Sequence, residues 1–150
     1  MIILIFLLQF DNTLSVNPLS IIPSPFLTDF FLAPAINYER SIYKKFSIYG
    51  EIQLSFNSMN INPEIGVFVY PLDDFRSLFL SCGVEYRYFE MVRIPLDIGY
   101  KWIFSNGFTL RVFAGPSIIF ELKQPRGRYM GNSNKYILPD SFGTYFGYSW

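Results

Sequence analysis

This sequence of 150 residues contains no histidine and only one cysteine, Cys82. Without histidine, it lacks the commonest general base and metal ligand in proteins. One cysteine cannot form an internal disulfide, and no zinc site of cysteine and histidine ligands can be built. An excess of charge is absent as well, because 12 basic residues balance 12 acidic ones, whereas nucleic-acid binders usually carry a basic excess. We therefore expect no cofactor, no metal site and no nucleic-acid partner.

The sequence also lacks an apolar run long enough for a membrane helix, which needs roughly 20 residues. The one sustained run covers residues 2–8, or 2–10 if Gln9 is included. This length is typical of the apolar part of a secretory signal peptide, although no basic residue follows Met1. We predict a signal-peptide remnant or N-terminal extension at residues 1–13 and a single domain at 14–150. A buried N-terminal strand is the alternative.

Apolar residues are nevertheless abundant, at 51% of the chain, and they alternate with polar ones. In residues 93–103, one face carries the apolar side chains Ile94, Leu96, Ile98, Tyr100 and Trp102. The charged residues of the same stretch all fall on the other face. A period of two predicts strands with unlike faces. We predict eight strands, near residues 14–22, 30–40, 45–56, 64–72, 77–89, 92–104, 107–122 and 136–150.

The predicted connections differ in length. Short turns occupy residues 41–44, 73–76 and 105–107, and longer or proline-rich connections occupy 23–29, 57–63 and 123–135. Asn106-Gly107 is a hairpin signal, because both residues accept a positive φ. An even number of strands, with short turns at one end and longer loops at the other, is the arrangement of transmembrane barrels. We predict an all-β, eight-stranded antiparallel up-and-down transmembrane barrel with short periplasmic turns.

The direction of the apolar face separates two classes of barrel. A soluble lipocalin-like carrier also alternates, with its apolar face inside. The apolar strips here carry almost no charge and end in aromatics, and an Arg or Lys facing lipid would cost roughly 2–4 kcal/mol. We therefore predict that the apolar face, including Cys82, points outward. The charges predicted to lie in the lumen are Glu39, Glu51, Glu85, Arg87, Arg93, Asp97, Lys101, Arg111 and Glu121.

Two interpretations of this lumen remain. Eight strands leave an interior just wide enough for side chains, which favours a packed salt-bridge network. An ion or proton path, as in a small gated channel, is the alternative. Four prolines inside the predicted strands each remove a ladder donor and must mark bulges, strand ends or errors of register. They are Pro18, Pro34, Pro95 and Pro116.

The last predicted strand ends on an aromatic residue, Trp150. Five short stretches carry the same resemblance as this ending: NPLS at 17–20, NYER at 37–40, EYRY at 85–88, GYKWIF at 99–104 and NGFTL at 106–110. Together they resemble the small eight-stranded outer-membrane barrels of the OmpA/OmpX type, and most of all an uncharacterised group of short barrels. The resemblance covers residues 14–150. It implies a monomer in the bacterial outer membrane whose last strand, ending at Trp150, is read by the barrel-insertion machinery.

The connection 123–135 is rich in basic residues. Because Arg suits phosphate geometry, we hypothesise that this loop contacts lipopolysaccharide; a solvated loop is the alternative. Its candidate contacts are Lys123, Arg126, Arg128, Tyr129 and Lys135. The barrels known to be enzymes rely on a histidine, so we expect no catalytic residue and a structural or surface-interaction role. A lipocalin-like carrier and a small gated channel are the alternatives.

Overall fold

The computed structural model describes residues 12–18, 21–23, 30–32, 34–43, 45–55, 60–72, 77–87, 91–121 and 135–150. Within these ranges the side chains of 21–23, 30–32, 55, 121, 135–136 and 138–141 are outside the description. The strands are β1 (Asn12–Asn17), β2 (Ile21–Pro23), β3 (Phe30–Leu32), β4 (Ala35–Tyr43), β5 (Phe46–Ser55), β6 (Asn60–Val69), β7 (Leu78–Arg87), β8 (Met91–Ile103), β9 (Phe108–Glu121) and β10 (Lys135–Ser149).

Eight of these strands form a closed antiparallel barrel in the order β1-β10-β9-β8-β7-β6-β5-β4. β1 closes it, because Leu14 pairs with Tyr148 of β10 on one side and with Tyr38 of β4 on the other. The predicted eight-stranded up-and-down topology is therefore confirmed. Closure gives each of the eight barrel strands a partner on both sides, so none of them has a free edge.

The predicted first and second strands are each divided. β1 ends at Asn17, and β2 and β3 form a separate two-stranded sheet before the barrel resumes at Ala35. Pro18 and Pro34 lie just outside β1 and β4. At strand ends, the missing N–H of proline removes no ladder bond. A prediction based on alternation alone runs through these breaks, since the apolar pattern continues across them.

Pro95 and Pro116 lie inside neighbouring strands, β8 and β9. Pairing between these strands passes from Pro95↔Ser117 to Ile98↔Ala114 and omits the positions between them. On the other side of β9, the register with β10 shifts between Leu138 and Ser141. These prolines thus mark ladder interruptions and a bulge, as a residue without an N–H requires.

The prediction of a loop at 57–63 is wrong for its last part. β6 begins at Asn60, and Pro63 pairs with Ile52 of β5. The predicted turn at Asn106-Gly107 is present, as a three-residue loop. Gly107 has φ of +84° and donates to Phe104 O at 2.9 Å, while Phe104 N donates to Phe108 O at 2.8 Å. Glycine adopts this left-handed conformation without steric cost.

The two faces of the wall are opposite in polarity. On β7, Leu80, Cys82 and Val84 are exposed, while Ser81, Gly83 and Glu85, which alternate with them, are buried. Ile52 and Ile98 are about half exposed, at 52% and 53%. Of the charged side chains that the structure describes, none is exposed. The outer face of the barrel is therefore mainly apolar, and the inner face carries most of the described charges, unlike an ordinary soluble domain. No helix among the described residues is long and apolar enough to cross a membrane.

The barrel has two distinguishable ends. The connections 44–45, 70–77 and 104–107 lie at one end, together with Asn12 and Trp150, which exchange backbone hydrogen bonds of 2.9 and 3.0 Å. We name this the short-turn end. At the other end, which we name the loop end, β1 ends at Asn17, β5 at Ser55, β7 at Arg87 and β9 at Glu121.

Candidate functional site

The structure places eight of the nine predicted lumen charges inside the barrel. Glu51 is half-buried and lines an internal cavity, and the other seven are buried. The side chain of Glu121 lies outside the described residues. Period-two alternation accounts for this result, because every second residue of a strand shares one face.

At the short-turn end, a group that we name the short-turn cluster surrounds Glu39. Lys101 Nζ donates to Glu39 Oε2 at 2.9 Å, and the hydroxyls of Ser47 and Tyr70 donate to Glu39 Oε1. Lys101 Nζ also donates to Thr13 Oγ1 at 2.9 Å. The side chains of Glu39 and Lys101 are both 0% exposed. Such a buried pair persists because several hydrogen bonds replace the lost water.

Tyr70, the first residue after β6, is also part of this cluster. Burial and the neighbouring Glu39 carboxylate raise the pKa of Tyr70 well above its ordinary value. Its hydroxyl therefore keeps its proton and acts as a donor to Glu39.

Next along the lumen lies an aromatic layer of Tyr49, Phe68, Tyr70 and Phe79. The ring centroid of Phe68 is 4.4 Å from the ring centroid of Tyr49 and 5.0 Å from that of Phe79. Gly66 makes room for this layer, because a Cβ there would lie 2.5 Å from the ring of Tyr49. The rings fill the barrel cross-section where an open pore would have to pass.

Arg111 lies at the edge of the aromatic layer. Its guanidinium carbon is 4.7 Å from the ring centroid of Phe68 and 4.4 Å from that of Tyr145. Its Nη1 is 3.5 Å from Glu39 Oε2. Arginine suits this place because its planar guanidinium stacks on aromatic faces while it keeps its charge.

A second group, the loop-side cluster, surrounds Glu85. Arg87 Nε and Arg93 Nη1 bind its two oxygens at 2.6 and 2.7 Å. Arg93 Nε also donates to Ser117 Oγ at 2.8 Å. One carboxylate thus holds two guanidinium groups.

An internal cavity of about 50 Å³ lies between the aromatic layer and the loop end, and we name it the loop-side cavity. A buried water needs roughly 10–15 Å³ on this measure, so the cavity has room for a few water molecules or one small ion. Its polar lining includes Asn37, Glu51, Glu64, Arg87, Arg93 and Asp97. The carboxylates of Glu51 and Glu64 accept hydrogen bonds from Asn37 Nδ2 and the Tyr49 hydroxyl, respectively.

Sequence reasoning missed several lumen residues, above all Glu64. Glu64 lies two residues before Gly66 in β6, so both residues are on the same, inward face of the strand. It was overlooked because the strand was predicted to start only at that residue. Thr13 was missed because the first strand was predicted to begin at residue 14, whereas β1 begins at Asn12. Asn37 was not singled out as a lumen residue, because an uncharged polar residue gives no distinctive signal in an alternating strand.

The structure does not describe the side chains predicted to contact lipopolysaccharide. Lys123, Arg126, Arg128 and Tyr129 lie outside the described residues, and Lys135 begins β10 with its side chain outside the description. In the part of the chain that the structure describes, no three acidic or Cys side chains come together as a metal site. Comparison with family models, curated proteins and solved structures gives no match for this chain.

Proposed function

We propose that this protein is a non-enzymatic β-barrel of a bacterial outer membrane, with a structural or surface-interaction role. The observation that carries the proposal is the outer face of the barrel, which is mainly apolar on each of its eight strands. Soluble monomers rarely expose contiguous apolar patches larger than a few hundred Å². The exposed apolar residues, one from each strand in turn, include Leu14, Ile36, Ile48, Ile65, Leu80, Leu96, Phe108 and Phe146.

The distribution of exposed rings supports a lipid environment. Aliphatic side chains predominate at mid-height, whereas rings gather at the short-turn end. Aromatic girdles at the level of the headgroups are typical of membrane barrels. The girdle consists of Tyr43, Phe46, Tyr100, Trp102, Phe104, Phe108, Tyr148 and Trp150.

Strand length supports it as well. β5, β6 and β7 have 10 residues each, and about 9–11 tilted residues cross the hydrocarbon core. Longer strands, such as β10 with 15 residues, reach beyond that thickness. The loop end would then face the outside of the cell, where lipopolysaccharide is the proposed partner of the basic loop at 123–135.

The polar interior weighs against the two alternatives. A lipocalin-like carrier needs an apolar cavity, yet the side chains buried here include Glu39, Lys101 and Arg111. A channel needs a continuous aqueous path. The aromatic layer and the short-turn cluster fill the lumen below a cavity of about 50 Å³.

The natural single cysteine permits a direct test of the lipid-facing surface. Cys82 is exposed on the outer face of β7, and its neighbour Ser81 is buried on the inner face. The full chain is refolded into vesicles and labelled with a bimane fluorophore. We expect bimane on Cys82 to be quenched by lipids brominated along the acyl chain and not by aqueous iodide.

Two variants serve as controls in a Cys82→Ser background. Ser81→Cys places the thiol in the lumen, and we expect it to label slowly. Asn106→Cys places the thiol in an exposed turn, and we expect quenching by iodide. Quenching of Cys82 by iodide and not by brominated lipid would exclude the membrane proposal. Membrane fractionation of the expressed protein, with heat-modifiable gel mobility, tests the location.

A further inference from the structure

The walls of the loop-side cavity bring two carboxylates directly side by side. Glu51 of β5 and Glu64 of β6 are register partners, and both line the cavity. Directly opposed residues have Cβ atoms about 4.5–5.5 Å apart, and like charges in such a pair destabilise a sheet. A proton or a cation must therefore relieve the repulsion between them.

The arginine side chains near this cavity form ion pairs with other carboxylates. Arg87 and Arg93 both pair with Glu85, and Arg111 pairs with Glu39. Among the described side chains, neither Glu51 nor Glu64 forms an ion pair. Glu51 accepts a hydrogen bond from Asn37, and Glu64 accepts one from Tyr49. These donors are uncharged, so they orient the carboxylates without neutralising them.

Asn37 provides an independent observation at the same place. It is the register partner of Glu51 on β4, lines the cavity and is 0% exposed. Its Nδ2 donates to Glu51 Oε2 at 3.0 Å, but its Oδ1 has no hydrogen-bond partner. An amide oxygen only accepts, and an unsatisfied buried acceptor costs about 1–3 kcal/mol. The missing partner must therefore be a donor or a cation.

The size and ligand set of the cavity limit the choice of cation. About 50 Å³ admits a small ion with water but not a bulky organic cation. Carboxylate and carbonyl oxygens suit hard cations. A divalent ion is disfavoured, because the described residues provide no group of three acidic side chains around one point.

We propose that the loop-side cavity binds one small monovalent cation, an alkali ion or ammonium, through Glu51, Glu64 and Asn37 Oδ1. The bound ion balances the adjacent carboxylates and satisfies the buried amide oxygen. Water in the cavity completes its ligand shell. The site lies on the loop-end side of the aromatic layer, so binding needs no passage through the barrel.

The test measures unfolding of the refolded full chain in zwitterionic micelles at pH 8. Potassium or ammonium chloride is exchanged for choline chloride at constant ionic strength. Because choline is too large for the cavity, we expect a saturable rise of the unfolding midpoint with potassium or ammonium only. Equal midpoints in choline and potassium would overturn the proposal, and a rise in choline as the pH falls would identify a shared proton as the occupant instead.

Variants locate the effect. Asn37→Ala should raise the apparent dissociation constant for potassium about tenfold, the size expected for loss of a group from the ligand shell. Asn62→Ala is the matched control, because Asn62 is also buried with an unpartnered Oδ1 but does not line the cavity. We expect it to leave the constant unchanged.

Glu64→Gln keeps the shape of the side chain and removes one of the opposed charges. We expect it to raise stability in choline and abolish the difference between potassium and choline. A cation dependence that survives both Asn37→Ala and Glu64→Gln would show that the ion binds elsewhere and that the proposal is wrong.

Discussion

The two halves of the lumen treat charge in different ways. In the short-turn cluster, Glu39 and Lys101 are 0% exposed and bonded to hydroxyl groups, and neither lines the cavity on the loop side. On the loop side, Arg87 has a side-chain exposure of 10%, and several charges border a cavity. The first half depends on mutual pairing, and the second also has space for water or an ion.

The comparison shows that burying a charge can have a different free-energy cost in the two halves of one barrel. Removing a charge from water costs several kcal/mol unless pairing and hydrogen bonds compensate it. Where the aromatic layer and the turns exclude water, compensation must come entirely from neighbouring side chains. Where a cavity remains, small molecules can supply part of it, and single substitutions should do less harm.

The largest expected effect is that of Lys101→Met. It leaves the Glu39 carboxylate buried with only the 3.5 Å contact to Arg111 as a cationic partner. We expect a loss of about 3–5 kcal/mol in the free energy of unfolding, measured by urea titration in micelles. Adding Glu39→Gln should recover most of the loss, because the orphaned charge is then gone. A loss below about 1 kcal/mol would mean that water reaches this cluster.

The aromatic layer that separates the halves is tested by Gly66→Ala. Its Cβ would lie 2.5 Å from the ring of Tyr49, so the ring must shift. We expect a loss of about 1–3 kcal/mol from overpacking, measured in the same titration. Gly50→Ala is the matched control on the partner strand, since nothing lies within 4 Å of its Cβ, and it should be neutral or slightly stabilising. Equal losses at both positions would contradict a packed layer.

Arg87→Gln tests the loop-side cluster. Glu85 keeps its 2.7 Å pair with Arg93, and water can approach the vacated place from the cavity. We expect a loss of about 1–2 kcal/mol, smaller than that of Lys101→Met. If the two losses are equal, the halves do not differ in the way proposed.

The smallest effect on stability is expected for Arg126→Ala with Arg128→Ala. These residues lie in sequence between β9 and β10, outside the described residues, and we expect unfolding to change by less than about 0.5 kcal/mol. Binding of the refolded barrel to lipopolysaccharide should nevertheless weaken. Lys44→Ala with Lys45→Ala removes the same charge at the short-turn end. If that pair of substitutions weakens binding equally, the hypothesis of a specific loop contact fails.

Much of the fold was predictable because seven of the eight barrel strands are nine residues long or longer, so that their alternation is clear. Parity alone predicted that Glu85, Asp97 and Arg111 lie on the polar face of their strands. The breaks at Pro18 and Pro34 were harder to place, because apolar alternation continues into β2 and β3. The early start of β6 was missed, since Asn60 and Pro63 are residue types common in loops.

Pairing within the lumen could not be predicted in the same way. Lys101 and Glu39 are 62 positions apart in sequence and meet only because the barrel closes. Nothing in the alternation of β8 distinguishes Lys101, which is sealed, from Asp97, which borders the cavity. That distinction depends on which rings from β5, β6 and β7 fill the cross-section beside each of them.

The sequence by itself therefore determined the strands and the polarity of their two faces, because a period of two is a local property of the extended chain. It also excluded chemistry that needs histidine or paired cysteines. Only the tertiary structure decided which face lies inside, which charges meet and where space remains between them. Closure sets these features, because it brings distant strands into register and lets the volumes of inward side chains divide the lumen into a sealed half and a half with a cavity.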